Sequence, residues 1–207
     1  MIEEILPKSS ARMRILVNIY ENPGISITEL VRKSNTSPNI VMDYVNMLNK
    51  TGAVNDKRLG GRKKTHIRQI YPDTSSDTGM VVFSLVEMQR REKFLEKYPF
   101  MKPVQKQLHE LLKVTHSFCL VYGSYARMAA EKSSDIDALA VGDIPRVLAD
   151  RIREIFVTLE AELSLKVETR DKFAQSRGDH LHQNVIREHV ILTGEREFLN
   201  LMGKPHD

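Results

Sequence analysis

The strongest constraint on this 207-residue chain lies in its first seventy residues, where apolar positions three and four apart stop at Gly52 and two short strands follow about a Gly-Gly turn. From Ser9 to Tyr20, Met13, Leu16, Val17 and Tyr20 keep helical spacing, and Asn22-Pro23-Gly24 ends the segment. Thr28 is the expected N-cap of a second, brief helix, with Glu29 in its first turn and Leu30 and Val31 leading to about Ser34. Asn35-Thr36 makes a tight turn. Ser37-Pro38 then supplies a cap and an N1 proline ahead of Ile40, Val41, Tyr44, Val45 and Leu48, a third helix. Residues 53 to 59 and 65 to 71 read as strands around Gly60-Gly61-Arg62, whose glycines tolerate positive φ.

Charge is unevenly placed. The net charge is +4. Residues 1 to 78 hold 12 Lys/Arg against 8 Asp/Glu, while the rest holds 19 of each, so the whole excess is N-terminal. Lys57, Arg58, Arg62, Lys63, Lys64 and Arg68 form a run with no acid between them, the pattern of a phosphate-facing surface.

Three helices followed by a basic hairpin is a winged-helix pattern, and ISITELVRKSNTSPNIVMDYVNMLNKTGAV resembles winged helix-turn-helix regulators over residues 9 to 72. The resemblance implies binding of double-stranded DNA, with the third helix in the major groove and the hairpin wing on the backbone. Ser37, Asn39, Asp43 and Asn46 are then its polar candidates for groove contact. Many regulators of this kind dimerise on palindromic sites, which makes a homodimer an expectation, although no dimer helix is identifiable here.

A soft boundary at Pro72-Asp73-Thr74-Ser75-Ser76-Asp77 leads into two helical stretches separated near Pro99 and Pro103. Phe83, Leu85, Val86 and Met88 are expected to pack the first, and Val104, Leu108, Leu111 and Leu112 the second. The expected organisation is a DNA-binding domain at 1–78, a helical spacer at 79–113 and a third segment at 114–207, an α+β fold. Apolar content of 41% and charged content of 28% suit a soluble folded protein, and no apolar run is long enough to cross a membrane. MIEEILPKSS has acids where an export signal would be basic and apolar, so a cytoplasmic protein is expected. The single cysteine, Cys119, sits among Phe118, Leu120 and Val121 and reads as an inert buried thiol.

The chemistry gathers further on. Phe118 to Tyr122 is a short apolar run ending at Gly123-Ser124, and Asp135-Ile136-Asp137 opens a second run, Ala138 to Val141. Acids at i and i+2 of a strand share a face and can share divalent cations, while the glycine lets backbone approach a phosphate. Gly123-Ser124, ten residues, then Asp135-x-Asp137, with Tyr125-Ala126-Arg127 and Ser134 around them, resembles the signature of the minimal nucleotidyltransferases of the DNA polymerase beta superfamily over residues 114 to 200. The fold so implied is a mixed sheet flanked by helices.

That resemblance implies that Gly123 and Ser124 grip the β- and γ-phosphates of a nucleoside triphosphate, with ATP the expected nucleotide, and that Asp135 and Asp137 bind two Mg²⁺ ions. Arg127 and Ser134 are further nucleotide-binding candidates. A third carboxylate usually completes the family's metal site. Its position aligns with Ser164, on an expected strand with Leu163, Leu165 and Val167 on one face and Glu162, Ser164, Lys166 and Glu168 on the other; Glu168 is the nearest replacement. Met128 stands where the family usually has glycine and Ala138 where it has a larger aliphatic. Small members of the family often act as antitoxins that adenylylate a ribonuclease toxin, so a protein acceptor of that kind is one implied partner. Two readings stay open: transfer of a nucleoside monophosphate to a hydroxyl, and a regulator that senses nucleotide without transferring it.

Overall fold

A computed structural model of the chain describes residues 5–59, 67–157, 159 and 161–203. The chain divides into two compact units, residues 1–86 with 202–207, and residues 87–201.

In the first unit, α1 (Ser10–Glu21) is capped by Ser9, whose hydroxyl accepts the Arg12 N–H at 3.3 Å, and closes at Asn22. Its most buried positions are Ile15, Leu16 and Ile19, while Met13, Val17 and Tyr20 are half-buried at the edges of the stripe. A two-residue strand β1 (Ile25–Ser26) follows, too short to leave a periodic signal. Helix α2 (Ile27–Ser34) is capped by Ser26, not Thr28: the Ser26 hydroxyl accepts the Glu29 N–H and the Glu29 carboxylate accepts the Ser26 N–H. Ser26-Ile-Thr-Glu29 puts the acid three residues after the cap, the spacing this reciprocal arrangement needs. Asn35, left-handed at φ 47°, ends the helix. Helix α3 (Pro38–Lys50) buries Val41, Tyr44, Val45 and Leu48. Ile40, expected in the core, is exposed instead, because the buried stripe centres on Val41 and Val45.

Strands β2 (Val54–Leu59) and β3 (Ile67–Pro72) pair antiparallel, and β1 pairs with β3 to give the order β1-β3-β2. The turn Gly60-Gly61-Arg62 lies outside the described residues. Helix α4 (Asp77–Lys97) begins in this unit, where Val82, Phe83 and Val86 are buried and the Phe83 ring stacks on Tyr20 at 5.4 Å. Met88, expected to pack, is exposed.

The second unit takes the remainder of α4 and then α5 (Met101–Leu112), β4 (Phe118–Tyr122), the single turn α6 (Gly123–Ala126), β5 (Ile136–Val141) and α7 (Arg146–Val157). It continues with β6 (Leu163–Glu168), α8 (Arg170–Gln175), a 3₁₀ turn, α9 (His180–Arg187), β7 (His189–Thr193) and α10 (Glu195–Met202). The sheet runs β6-β5-β4-β7, parallel between β5 and β6 and antiparallel elsewhere. On one face Cys119, Val121, Ala138, Ala140, Val190 and Leu192 share a core with Phe94, Met101, Val104, Leu108, Ile152 and Phe156. On the other, the Phe118 ring meets Phe173 and Phe198 edge-on at 5.6 and 5.3 Å. Helices on both faces explain why β4 and β7 are buried at every residue, and why Phe118 to Tyr122 and Val190 to Leu192 are apolar runs with no polar alternation. Burial pushes the Cys119 thiol up to about 12, which leaves it protonated and unreactive.

Candidate functional site

On the first unit, Pro38 at N1 starts α3 and Ser37 precedes it as N-cap without a side-chain capping bond. Ser37, Asn39, Asp43 and Asn46 all face outward. Lys57 and Arg58 are exposed on β2, with the Lys57 ammonium 5.2 Å over the Tyr71 ring. Arg68, facing Arg58 across the ladder, commits its Nε to Asp56 at 2.6 Å and one terminal nitrogen to Asn46 Oδ1 at 2.7 Å. It thereby braces the wing strand against α3. Arg62, Lys63 and Lys64 lie outside the described residues.

On the second unit, antiparallel pairing sets Asp137 opposite Tyr122, the residue before Gly123-Ser124. Gly123 has φ 71°, and a Cβ there would sit 2.4 Å from Asp137 Oδ2. The glycine is needed twice over, for a left-handed backbone and for the close seat of the carboxylate. Gly123→Ala is therefore expected to cost about 1–3 kcal/mol and to displace Asp137; an unchanged thermal melt would deny that the carboxylate rests there. The Tyr125 ring anchors the single turn that follows, packing on Tyr98 and Phe100 at 5.0 and 6.3 Å. Met128 is left-handed at φ 58°, a backbone that glycine adopts freely and a longer side chain rarely does.

Asp135 is exposed and Asp137 half-buried. Burial first, and the Asp135 charge second, hold the Asp137 carboxyl above the ordinary carboxylate range, while Lys166 and Arg127 pull it back down. Asp135, Asp137, Lys166 and Arg127 thus form one electrostatic group beside Gly123. Lys166 is the member to which the sequence reading assigned no role; its place on the Ser164 face of the alternating strand was the available signal. Arg127 also pairs with Glu188 at 3.4 Å. The Ser134 hydroxyl accepts the Glu131 N–H at 2.9 Å and so fixes the turn ahead of Asp135.

Glu168 is not brought to this group. Parallel pairing puts Ser164 beside Asp137 and Glu168 beside Val141. Four residues of strand separate the two positions, about 13 Å along the strand at 3.3 Å per residue. Glu168 is buried, bonded to His182 Nε2 at 2.9 Å and to the Lys172 ammonium at 3.5 Å. Among the described residues, no three of His, Cys, Asp or Glu converge to hold a metal.

A family model for winged helix-turn-helix DNA-binding matches residues 9–55. No curated protein and no solved structure matches the chain. The chain therefore carries a winged helix-turn-helix DNA-binding domain at residues 9–55, followed by a unit built on a mixed sheet. Among the described residues no helix is long and apolar enough to cross a membrane.

Proposed function

We propose that this protein is a DNA-binding regulator whose second unit binds a nucleoside triphosphate with Mg²⁺, ATP being the expected nucleotide, and alters DNA affinity without transferring the nucleotide. The observation that carries the reading is the register of β5 on β6, which sets the alcohol of Ser164, and no carboxylate, beside Asp137. Deprotonating an acceptor hydroxyl calls for a base there, and serine is a poor one.

The residues suit a divalent cation. Burial and the charge of Asp135 both disfavour ionised Asp137, and a cation held between the two carboxylates relieves both. Bound Mg²⁺ would neutralise phosphate oxygens of the triphosphate. Among the described residues two carboxylates meet there, which fits one ion; the two implied by the resemblance would need a further ligand. Gly123 and Ser124 would meet the phosphates, and Arg127, exchanging Glu188 for a phosphate oxygen, would add a guanidinium. A ligand that favours one of two states of the chain changes DNA affinity by its differential binding to them.

A second reading has one observation in its favour, the closeness of Asp135 to Asp137. It is transfer of a nucleoside monophosphate to a hydroxyl of a partner protein, in the manner of an antitoxin acting on a toxin. Calorimetric titration of ATP, GTP, CTP and UTP with and without Mg²⁺, followed by incubation with α-labelled nucleotide and cell extract, separates the two. Mg²⁺-dependent binding with no label on any protein is the expected result. Label on an acceptor establishes transfer, and failure of every triphosphate to bind removes both readings.

On the DNA side, Lys63→Ala with Lys64→Ala is expected to weaken binding to all sequences alike. It should also reduce the salt slope by about 2, at roughly 0.9 per neutralised phosphate. An unchanged slope would take the wing out of the interface.

A further inference from the structure

The outward face of α3 is not wholly polar. Ile40 is 46% exposed and Met42 36% exposed, among the exposed Asn39, Asp43 and Asn46. Single apolar residues on a surface are unremarkable. Two of them on the helix that a DNA-binding domain presents to the groove, interleaved with amide and carboxylate groups, make a chemical pattern that can be compared with base edges.

The pattern has a direction because of Arg68. Arginine only donates hydrogen bonds, so the Asn46 atom bonded to it at 2.7 Å is the carbonyl oxygen. The amide nitrogen of Asn46 is left as a donor. Met42 and Asn46 are four apart and therefore neighbours on one face of the helix. An aliphatic group beside a donor complements the major-groove edge of thymine, which alone among the bases sets a methyl group next to an acceptor, O4. Asp43 adds an acceptor-only group that can accept from N6 of adenine or N4 of cytosine, so the choice of A·T rests on the methyl contact and the Asn46 donor. Lys57 and Arg58, exposed on β2 of the same unit, supply the positive charge that a phosphate backbone requires.

We infer that α3 selects A·T pairs, with Ile40 and Met42 packed on thymine methyl groups and the Asn46 amide donating to O4. The methyl group is the discriminating element, and it can be removed without touching any hydrogen bond.

The test uses the full chain. Duplexes are selected from a random-sequence pool at fixed salt, and each thymine of the selected duplex is then replaced singly by deoxyuracil. Affinity is expected to fall about fourfold at two or more positions, the worth of one buried methyl-sized group. Ile40→Ala and Met42→Ala should each abolish that sensitivity at one position while leaving affinity for the corresponding uracil duplex unchanged. Both side chains are exposed, so the variants are expected to fold, and a thermal melt verifies it. The inference is overturned by uracil duplexes that all bind within about twofold of the parent, since a desolvated methyl is worth more than that. It is also overturned by a pool with no sequence enrichment, by G·C pairs at the selected positions, or by alanine variants that keep the thymine-to-uracil ratio. Loss of self-association without a change in that ratio would assign the two residues to a contact between copies of the chain. None of these outcomes depends on the nucleotide reading of the second unit.

Discussion

Replacing Asp135 and Asp137 together by alanine is expected to abolish Mg²⁺-dependent triphosphate binding. The loss should be at least about 100-fold, because even the outer-shell partners of a metal ligand are worth about 10- to 100-fold in affinity. Both side chains are the groups proposed to hold the cation, and no third acid converges with them among the described residues to take over. The same site carries a pH signature. Burial and Asp135 raise the Asp137 carboxyl above its ordinary value of 3.8, so Mg²⁺-dependent binding should strengthen as pH rises through that raised range. Stability moves the other way. A carboxyl that holds its proton more tightly folded than unfolded contributes stability that is fully present below about 3.8 and is lost as pH rises through the folded value. Asp137→Asn is therefore expected to raise the melting temperature at neutral pH while removing metal-dependent binding. A variant that melts lower and still binds Mg²⁺ with triphosphate would contradict the assignment on both counts.

Glu87→Ala should be the most damaging substitution to the fold of the second unit. Glu87 is fully buried, and its Oε1 lies 3.2 Å from His189 Nε2 and 3.2 Å from an Arg90 guanidinium nitrogen. His189, with a side chain 1% exposed, faces the carbonyl oxygens of Val185 and Ile186 through Nδ1 at 3.0 and 2.9 Å. Carbonyls only accept, so Nδ1 carries a hydrogen, and a bond from Nε2 to the Glu87 carboxylate requires a hydrogen on Nε2 as well. Removing one partner of a buried pair strands the other, at a cost of about 3–5 kcal/mol. In a chain of this size that corresponds to roughly 10 °C in melting temperature. Glu87→Gln keeps the shape and one acceptor and should lose less. Denaturant unfolding measures both, and a Glu87→Ala loss below about 1 kcal/mol, the scale of an exposed pair, would show that the buried contact contributes little.

The parts of the fold legible in the sequence are those with local causes. Pro38 at N1, Asn35 as a left-handed stop and Gly52 after α3 mark boundaries through backbone preferences that no distant contact has to supply. The apolar run Phe118 to Tyr122 is the pattern of a strand covered on both faces, and β4 is buried at every residue. Other features depended on neighbours far along the chain. Ile40 shares the helical spacing of the core residues, and only the direction in which α3 packs leaves it in water. In α4, Met88 has the spacing of a core residue but is exposed, while Glu87 beside it is buried against His189, about a hundred residues away.

The site divides along the same line. The motif Gly123-Ser124 with Asp135-x-Asp137 is local enough to be read directly, since alternation along a strand puts both acids on one face whatever else the chain does. Which residue stands beside Asp137 on the next strand is a matter of register, and register is set by pairing between segments separated by a whole helix. That pairing placed Ser164 at the acids and carried Glu168 to the far end of β6, to His182 and Lys172. The sequence alone therefore determined the winged-helix pattern, the basic run and the paired aspartates, because helix spacing, charge and strand alternation are properties of neighbouring residues. Tertiary structure alone decided that Glu168 lies away from the aspartates and that Lys166 acts on Asp137, because that depends on which strands meet and where.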